Sequence, residues 1–498
     1  MYTSLQKIVT DFQGIFPEVC LFVFILLLLA ADLIGKKKFP LLLPIGTVIG
    51  FVFTILFIAL QFSTSAIAVS ENKSLLLYSN FLKLDYYASY FKILFCLSGI
   101  LSVIFTLFSS DYKREEKGEF YYLLTTVVLG LHLLVMSNNL LMMFVSLEII
   151  SIGSYLLTIF NFDKKGTESA IKYILFGAFC SGIMLFGISL LYGINGNFNF
   201  PTALSPLALA NEGLILFVFA IFLTLTGLFF KISAFPYHVW APDIYEGAPA
   251  PVVAFFSIAP KAAALAVLIR ILSPLLLNSE VTGILTLLLA ILAMITMTIG
   301  NFSALMQKNL RRMLAYSAIG HAGFMLMAII TVKELAVNSI LFYLAVYLFM
   351  NFTAFCLVDV FASKAKSMDV NNFKGLGLKM PFLGGIFVLT MISLTGLPPT
   401  AGFYAKLFVF SALWESYQIT GNQIFLILLA FGLLNTIVSL FYYLRIPYFI
   451  YFKKEDSDTI LTSEPRLVYI FITLISLPLL ILFFNPNWVL NVLKYIKL

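Results

Sequence analysis

Lys231 and Lys406 each stand inside an apolar run, Gly213–Phe235 and Phe382–Leu413, with proline close by: Pro236 in the first, Pro398 and Pro399 in the second. A charged side chain at the centre of a membrane helix costs roughly 2.5–3.5 kcal/mol even on the lenient insertion scale. A proline there frees backbone groups, which is tolerated only where the helix is buried in protein or lines a wet cavity. Pro236 cannot donate to the carbonyl of Ile232, and its ring clashes there, so the helix is expected to open within a turn of the lysine. Lysine, proline break and apolar surroundings, occurring twice, point to the movement of protons across a membrane.

Three further ionisable groups lie at similar depth. Glu148 sits in LLMMFVSLEIISIGSYLL, far from either end of its run, with Ser146, Ser151 and Ser154 nearby. Its expected partner is a lysine: an opposite charge favours both ionised forms and desolvation disfavours them, so movement can tip the balance. Lys261, in FFSIAPKAAALAVLI, has too much apolar sequence on both sides for its stem to reach an interface. Four charges at membrane depth would cost on the order of 10–14 kcal/mol if unpaired. His321, in LAYSAIGHAGF, falls midway through its run and has an ordinary pKa near neutrality, which suits a relay. His132, near a helix end, and His238, beside a loop, read as structural.

Composition fixes what must position these groups. The chain of 498 residues is 61% hydrophobic and 11% charged, with a mean hydropathy of +1.01, against about 25% charged in soluble domains. It is an all-α polytopic membrane protein. Runs of about 20 apolar residues predict fourteen spans: 15–34, 40–61, 87–108, 120–136, 139–160, 169–192, 213–240, 251–273, 282–302, 311–331, 336–361, 382–415, 423–445 and 466–485. The seventh and twelfth are too long for one straight crossing and hold the prolines, so they read as broken helices. No cleavable signal peptide is evident at the start, MYTSLQKIVTDFQG, and no connection is long enough for a soluble domain. Cys20, Cys96, Cys180 and Cys356 are scattered singly and read as buried thiols rather than a metal or disulfide framework.

The net charge of +7 sits in short loops rather than on one patch, which speaks against nucleic acid as a partner. Loops after odd-numbered spans carry 20 Lys and Arg, and the opposite side, termini included, carries 6. The positive-inside rule then puts both termini on the outer side. The tetrapeptide LTGL recurs at Leu225–Leu228 and Leu394–Leu397, on the two broken, lysine-bearing spans. Five spans apart, the copies run in opposite directions, as in two inverted five-helix repeats. The expected organisation is a single membrane domain: helices 1–3 over 1–110, a first repeat of helices 4–8 over 120–273, a second of helices 9–13 over 282–445, and helix 14 over 466–485.

The stretch LTGLFFKISAFPYHVWAPDIYEGAPAPVVAFFSIAPKAA resembles the signature of the antiporter-like proton-translocating membrane subunits of respiratory complex I, most closely the subunit N branch. RRMLAYSAIGHAGFMLM, SLTGLPPTAGFYAKLFVF and LEIISIGSYLL are similar to that family's tenth-, twelfth- and fifth-helix segments. The resemblance implies a polar axis at the bilayer midplane, with a glutamate on helix five at Glu148, lysines on seven and eight at Lys231 and Lys261, a lysine on twelve at Lys406, and His321 on the connecting path. It implies that Glu148 and Lys231 pair, that their separation loosens the lysine's proton, and that the proton passes through Lys261 and water toward Lys406. NADH, FMN, iron–sulfur clusters and quinone would belong to partner subunits. The partners would be other complex I subunits, above all neighbouring antiporter-like and small membrane subunits, in a bacterial plasma membrane. An Mrp-type cation/proton antiporter subunit shares this pattern. A lysine on helix twelve, and a chain ending about a dozen residues after its last span, favour the subunit N branch. A non-conducting scaffold would gain nothing from the cost of buried charge.

Overall fold

The computed structural model describes residues 2–35, 41–64, 74–112, 118–205, 211–277, 279–331, 334–453 and 464–496. With no water available in hydrocarbon, backbone groups must be satisfied within each segment, and nearly all of this chain is helical. The N-terminal part comprises α1 (Tyr2–Gly14), α2 (Phe16–Gly35), α3 (Leu42–Thr64), the hairpin β1 (Ser74–Leu77) and β2 (Leu82–Asp85), and α4 (Tyr86–Thr106). Next come α5 (Glu119–Met136), α6 (Leu140–Thr158), α7 (Lys164–Asn195), the single turn α8 (Phe200–Ala203), α9 (Asn211–Ile232), α10 (Trp240–Gly247) and α11 (Ala250–Leu277). The C-terminal part holds α12 (Ser279–Met306), α13 (Leu310–Ile329), α14 (Glu334–Ala365), a 3-10 turn (Val370–Phe373), α15 (Leu376–Lys379), α16 (Pro381–Thr395), α17 (Ala401–Thr420), α18 (Gln423–Pro447), α19 (Arg466–Phe484) and α20 (Asn487–Leu493).

Thirteen of the described helices are long and apolar enough to cross a membrane. They match the predicted spans one for one, except that the twelfth is divided between α16 and α17. The seventh crossing, α9, ends at Ile232 and is itself long enough; the predicted tail, 233–239, is a turn that leads into the separate helix α10. The connection between α3 and α4 contains a strand pair, Ser74–Leu77 against Leu82–Asp85, which apolar-run counting has no means of seeing. Of the basic residues used for orientation, Lys36, Lys37, Lys38, Lys73, Lys113, Arg114, Lys117, Lys333, Lys454 and Lys497 lie outside the described residues. Cys96, Cys180 and Cys356 are buried thiols as expected, and Cys20 is only half-buried.

The centre of the molecule is α11, buried over its whole apolar window, with α13 and α14 almost as enclosed. Helices α7 and α18 keep most of their surface outward. Two helix starts are built alike. The Asn139 side chain accepts from the N–H groups of Leu141 and Met142, and that of Asn309 from Arg311 and Arg312, which satisfies donors a helix start leaves free. Each asparagine also forms a bridge with a residue 60 positions on, Asn139 with Asn199 and Asn309 with Asp369.

The two breaks match as well, in a register that LTGL does not give. Ser233 (φ +60°) and Gly396 (φ +87°) hold left-handed conformations, each three residues ahead of a proline, Pro236 and Pro399. Aligned on these, Lys231 falls opposite Leu394. The first LTGL therefore lies inside α9 and the second at the end of α16, so the tetrapeptide marks unlike positions.

Candidate functional site

The first break begins one residue after Lys231, where α9 ends at Ile232. The freed groups are re-satisfied locally. Ser233 N–H donates to the Phe230 carbonyl, the Trp240 indole donates to the same oxygen at 3.0 Å, and Phe235 N–H donates to Thr296 Oγ1 at 3.1 Å. The Lys231 ammonium is 3.5 Å from Tyr173 Oη and lies over the rings of Tyr173, Phe230 and Tyr155 at 5.2, 5.5 and 5.9 Å. Tyr173 is held flat against Trp240, with centroids 4.8 Å apart. An aromatic box thus takes the cation through ring quadrupoles. This box was missed in the sequence because its members come from four separate elements.

Glu148 is half-buried on α6 and accepts from Ser181 Oγ of α7 at 2.5 Å. The expected Glu148–Lys231 ion pair is absent from the described contacts; Tyr155 and Tyr173 surround the lysine instead. Lys261 sits in the middle of α11, just after Pro260, which deprives the Phe256 carbonyl of its helical donor. Its ammonium donates to the carbonyl of Ala318 on α13 at 3.2 Å and lies 5.7 Å from the Tyr245 ring.

His321 is three residues beyond Ala318 and buried. Its Nδ1 is 2.5 Å from Tyr343 Oη and its Nε2 3.0 Å from Tyr443 Oη, so both ring nitrogens are engaged by hydroxyls that can donate or accept. Tyr443 is also bonded to Ser317. Three residues further on, the Phe324 ring lies 4.8 Å from the Lys406 ammonium. Residues three apart are neighbours on a helix, so successive neighbours on α13 meet Lys261, carry His321 and meet Lys406 over about 9 Å of rise.

Lys406 projects from α17 onto the end of the preceding half-helix and donates to the Thr395 carbonyl at 2.7 Å. A cation at a helix C-terminus is favoured by the dipole and by the orphan carbonyls there. Thus Lys231, Lys261, His321 and Lys406 are buried by the elements predicted to carry them, and Pro236, Pro398 and Pro399 fall in the breaks. Among the described residues, no carboxylate reaches ion-pair distance of Lys231, Lys261 or Lys406.

The other buried cations are paired. Arg270 of α11 binds Asp85 through two bonds, at 2.9 and 2.7 Å. Burial pushes the Asp85 carboxyl up, but Arg270 outweighs it together with lesser contributions, and the group stays below its ordinary value. Lys92 of α4 meets Glu18 of α2 at 2.7 Å, and His132 meets the same carboxylate oxygen at 3.0 Å. His132, expected to be structural near a helix end, has its partner 114 positions away, which no local pattern reveals.

The D-I-Y-E segment is a clamp rather than part of the row. Asp243 binds Lys172 and Arg312 at 2.9 and 2.7 Å, and Glu246 binds Arg312 at 3.0 Å, tying α7, α10 and α13 together. Lys172, counted as a loop residue from the sequence, stands on α7.

These features define a class: polytopic α-helical membrane proteins with a buried row of lysines set around broken helices. The chain belongs to the NADH:quinone oxidoreductase/Mrp antiporter transmembrane family, whose model matches residues 137–432. It is 38% identical over 463 residues to NADH-quinone oxidoreductase subunit N of Chlorobium chlorochromatii (strain CaD3), covering 91% of this chain and 88% of that one. Among solved structures, a chain of respiratory complex I from Thermus thermophilus with bound aureothin superposes with a TM-score of 0.78 at 29% identity, covering 97% of this chain and 100% of that one. A chain of the Mrp complex from Dietzia sp. DQ12-45-1b superposes at 0.80 with 17% identity, covering 97% of this chain and 96% of that one, a likeness of fold alone.

Proposed function

We propose that this chain is a proton-translocating membrane subunit of an NADH–quinone oxidoreductase in a bacterial plasma membrane, without a redox site of its own and with both termini on the outer side. NADH, FMN, iron–sulfur clusters and quinone belong to partner subunits in this reading. Proton transfer follows Glu148, Lys231, Lys261, His321 and Lys406. The organisation is two inverted five-helix units, 120–273 and 282–445; the matched asparagine caps and their bridges support it.

The observation that carries the reading is how the three lysines are held. Among the described residues, the groups in direct contact with each ammonium are neutral: tyrosine rings and a hydroxyl, the Ala318 carbonyl, or the Thr395 carbonyl. Losing a proton from such a lysine leaves no buried carboxylate without its counter-charge, a loss that would cost several kcal/mol. A carbonyl accepts from an amine as it does from an ammonium. The lysines can therefore alternate between charge states, and a charge moving at Glu148, half-buried on the flank, can bias Lys231 first. His321, engaged at both nitrogens by tyrosine hydroxyls, bridges the faces of α13 that meet Lys261 and Lys406.

Replacing Lys231 by Met tests this in inverted vesicles containing the assembled complex. Loss of NADH-driven proton uptake, with assembly intact on a native gel, is the expected result. Full pumping by that variant overturns the reading.

A further inference from the structure

Glu18, Lys92 and His132 come from three helices, are all buried, and precede the family match. One carboxylate oxygen, Oε1, is shared by Lys92 and His132, and Oε2 has no hydrogen-bond partner among the described residues. With Glu18 ionised and Lys92 charged, the pair is balanced and His132 is the variable member. With Nδ1 directed at Glu18, Nε2 lies 3.5 Å from the Cys96 thiol, and the Lys92 backbone carbonyl is also placed to accept from the ring. An imidazole held to a carboxylate through one nitrogen, with a thiol and a carbonyl at its other edge, is a place where one proton can be gained or lost at Nε2 without breaking the lysine pair.

The position of the cluster gives that proton a consequence. Tyr87 Oη donates to the Ala266 carbonyl, and Ser102 Oγ to the Pro251 carbonyl, which fixes α4 antiparallel to α11 in one register. Five residues on from Tyr87 and five back from Ala266, Lys92 stands level with Lys261. Helix α11 packs on both α4 and α5. His132 is four residues from the end of α5, and Ser137 just beyond pairs with Leu82 of the hairpin, so the cluster lies about 6 Å of helix rise below that face. The titratable groups that bear on it are Glu18 and Cys20 of α2, Lys92 and Cys96 of α4, and Lys261 and Arg270 of α11; α3 supplies none.

We propose that Glu18, Lys92 and His132 form a second buried proton-binding site, which exchanges one proton with water at the hairpin face and whose charge opposes that of Lys261. The proton adds to His132 Nε2 and leaves from it, while Glu18 stays a carboxylate and Lys92 an ammonium. Lys92 turns toward α2 and Lys261 toward α13, so the charges lie farther apart than the roughly 8–10 Å between packed helix axes. At about 12 Å and an effective dielectric of about 20, the added charge changes proton occupancy at Lys261 about tenfold. The inference rests on the proton-translocation reading, and its test separates the two.

His132→Gln keeps an N–H donor for Glu18 but cannot ionise. In vesicles bearing the assembled complex, protons pumped per NADH are measured from about pH 5 to pH 8, the range in which histidine titrates, with Lys231→Met alongside. The expected result is normal NADH oxidation, a several-fold lower pumping ratio and loss of the pH inflection seen with the native chain. An unchanged ratio and profile, or a uniform fall that keeps the inflection, overturns the proposal. Glu18→Gln with Lys92→Met removes both charges together and should reproduce the loss; native behaviour overturns it, as does failure of both variants to assemble, which would make the cluster a structural tie. Normal pumping by Lys231→Met sinks the proton-translocation reading itself, whereas a dead Lys231→Met beside a normal His132→Gln sinks only this site.

Discussion

Gly396 tests whether the second break serves to seat Lys406. The glycine has φ +87°, and a Cβ built on it would lie 2.7 Å from Lys406 Cδ and 3.3 Å from Cε. The left-handed conformation alone costs an alanine about 1–2 kcal/mol. To reach an ordinary contact of roughly 3.5–4.0 Å, the lysine stem must also retreat by about 1 Å. Its ammonium donates to Thr395 at 2.7 Å, and a retreat of that size takes the pair beyond hydrogen-bond range. A hydrogen bond to a charged group is worth about 1.5–3 kcal/mol, so occupancy of the seated ammonium falls on the order of ten- to hundredfold. Gly396→Ala is therefore expected to assemble yet pump at a small fraction of the native rate, read as proton uptake per NADH oxidised in inverted vesicles. Gly421→Ala is the control: its φ is +66°, so it carries the same conformational cost, but its Cβ meets nothing within 4 Å. Equal pumping by the two variants would refute the argument, because backbone strain would then account for all of it.

The paired cations give the opposite signature. Asp85→Ala leaves the Arg270 guanidinium buried without a counter-charge, a loss of about 3–5 kcal/mol, seen as reduced assembled complex and a lower melting temperature. Asp85→Leu with Arg270→Met should recover most of the melting temperature. At the clamp, burial pushes the Asp243 carboxyl up, but Lys172 and Arg312 outweigh it and hold the group below its ordinary value. A depressed carboxylate contributes stability that is present above its unfolded value of about 3.9 and is lost as pH falls through the lower folded value. The Asp243 contribution should therefore be fully present and independent of pH between about pH 5 and pH 8, and a clamp transition inside that window, absent from Asp243→Asn, would refute this.

The crossings were legible because twenty apolar residues and a polar connection are a physical necessity of the bilayer, and each of the fourteen spans met a helix or, at the twelfth, a divided one. The breaks were legible from Pro236, Pro398 and Pro399, since proline removes a donor wherever it stands. What stayed hidden depends on contacts between distant elements. The hairpin is a serine and three leucines against four mixed residues. The Tyr173–Trp240 stack beside Lys231 joins α7 to α10. The partner of Lys92 is Glu18, 74 positions earlier. The two LTGL copies sit differently relative to the breaks, although their spacing of 169 positions agrees within one with the 170 between Asn139 and Asn309.

The contrast between the two sets of buried cations carries the functional argument. Arg270, Lys92 and Arg311 meet Asp85, Glu18, Asp111 and Asp359, and a carboxylate that has surrendered its solvation holds its partner's charge in place. Lys231, Lys261 and Lys406 are as deeply buried, yet they rest on rings and carbonyls. Had burial of positive charge served only to hold helices together, all six would gain from a carboxylate, and the chain demonstrably supplies carboxylates at this depth. Leaving three lysines on neutral partners sacrifices that stability, and the gain is a row of groups that can each lose a proton without stranding an anion. In the proposed relay, the contacts of Ala318, His321 and Phe324 on α13 link the places where such losses follow one another.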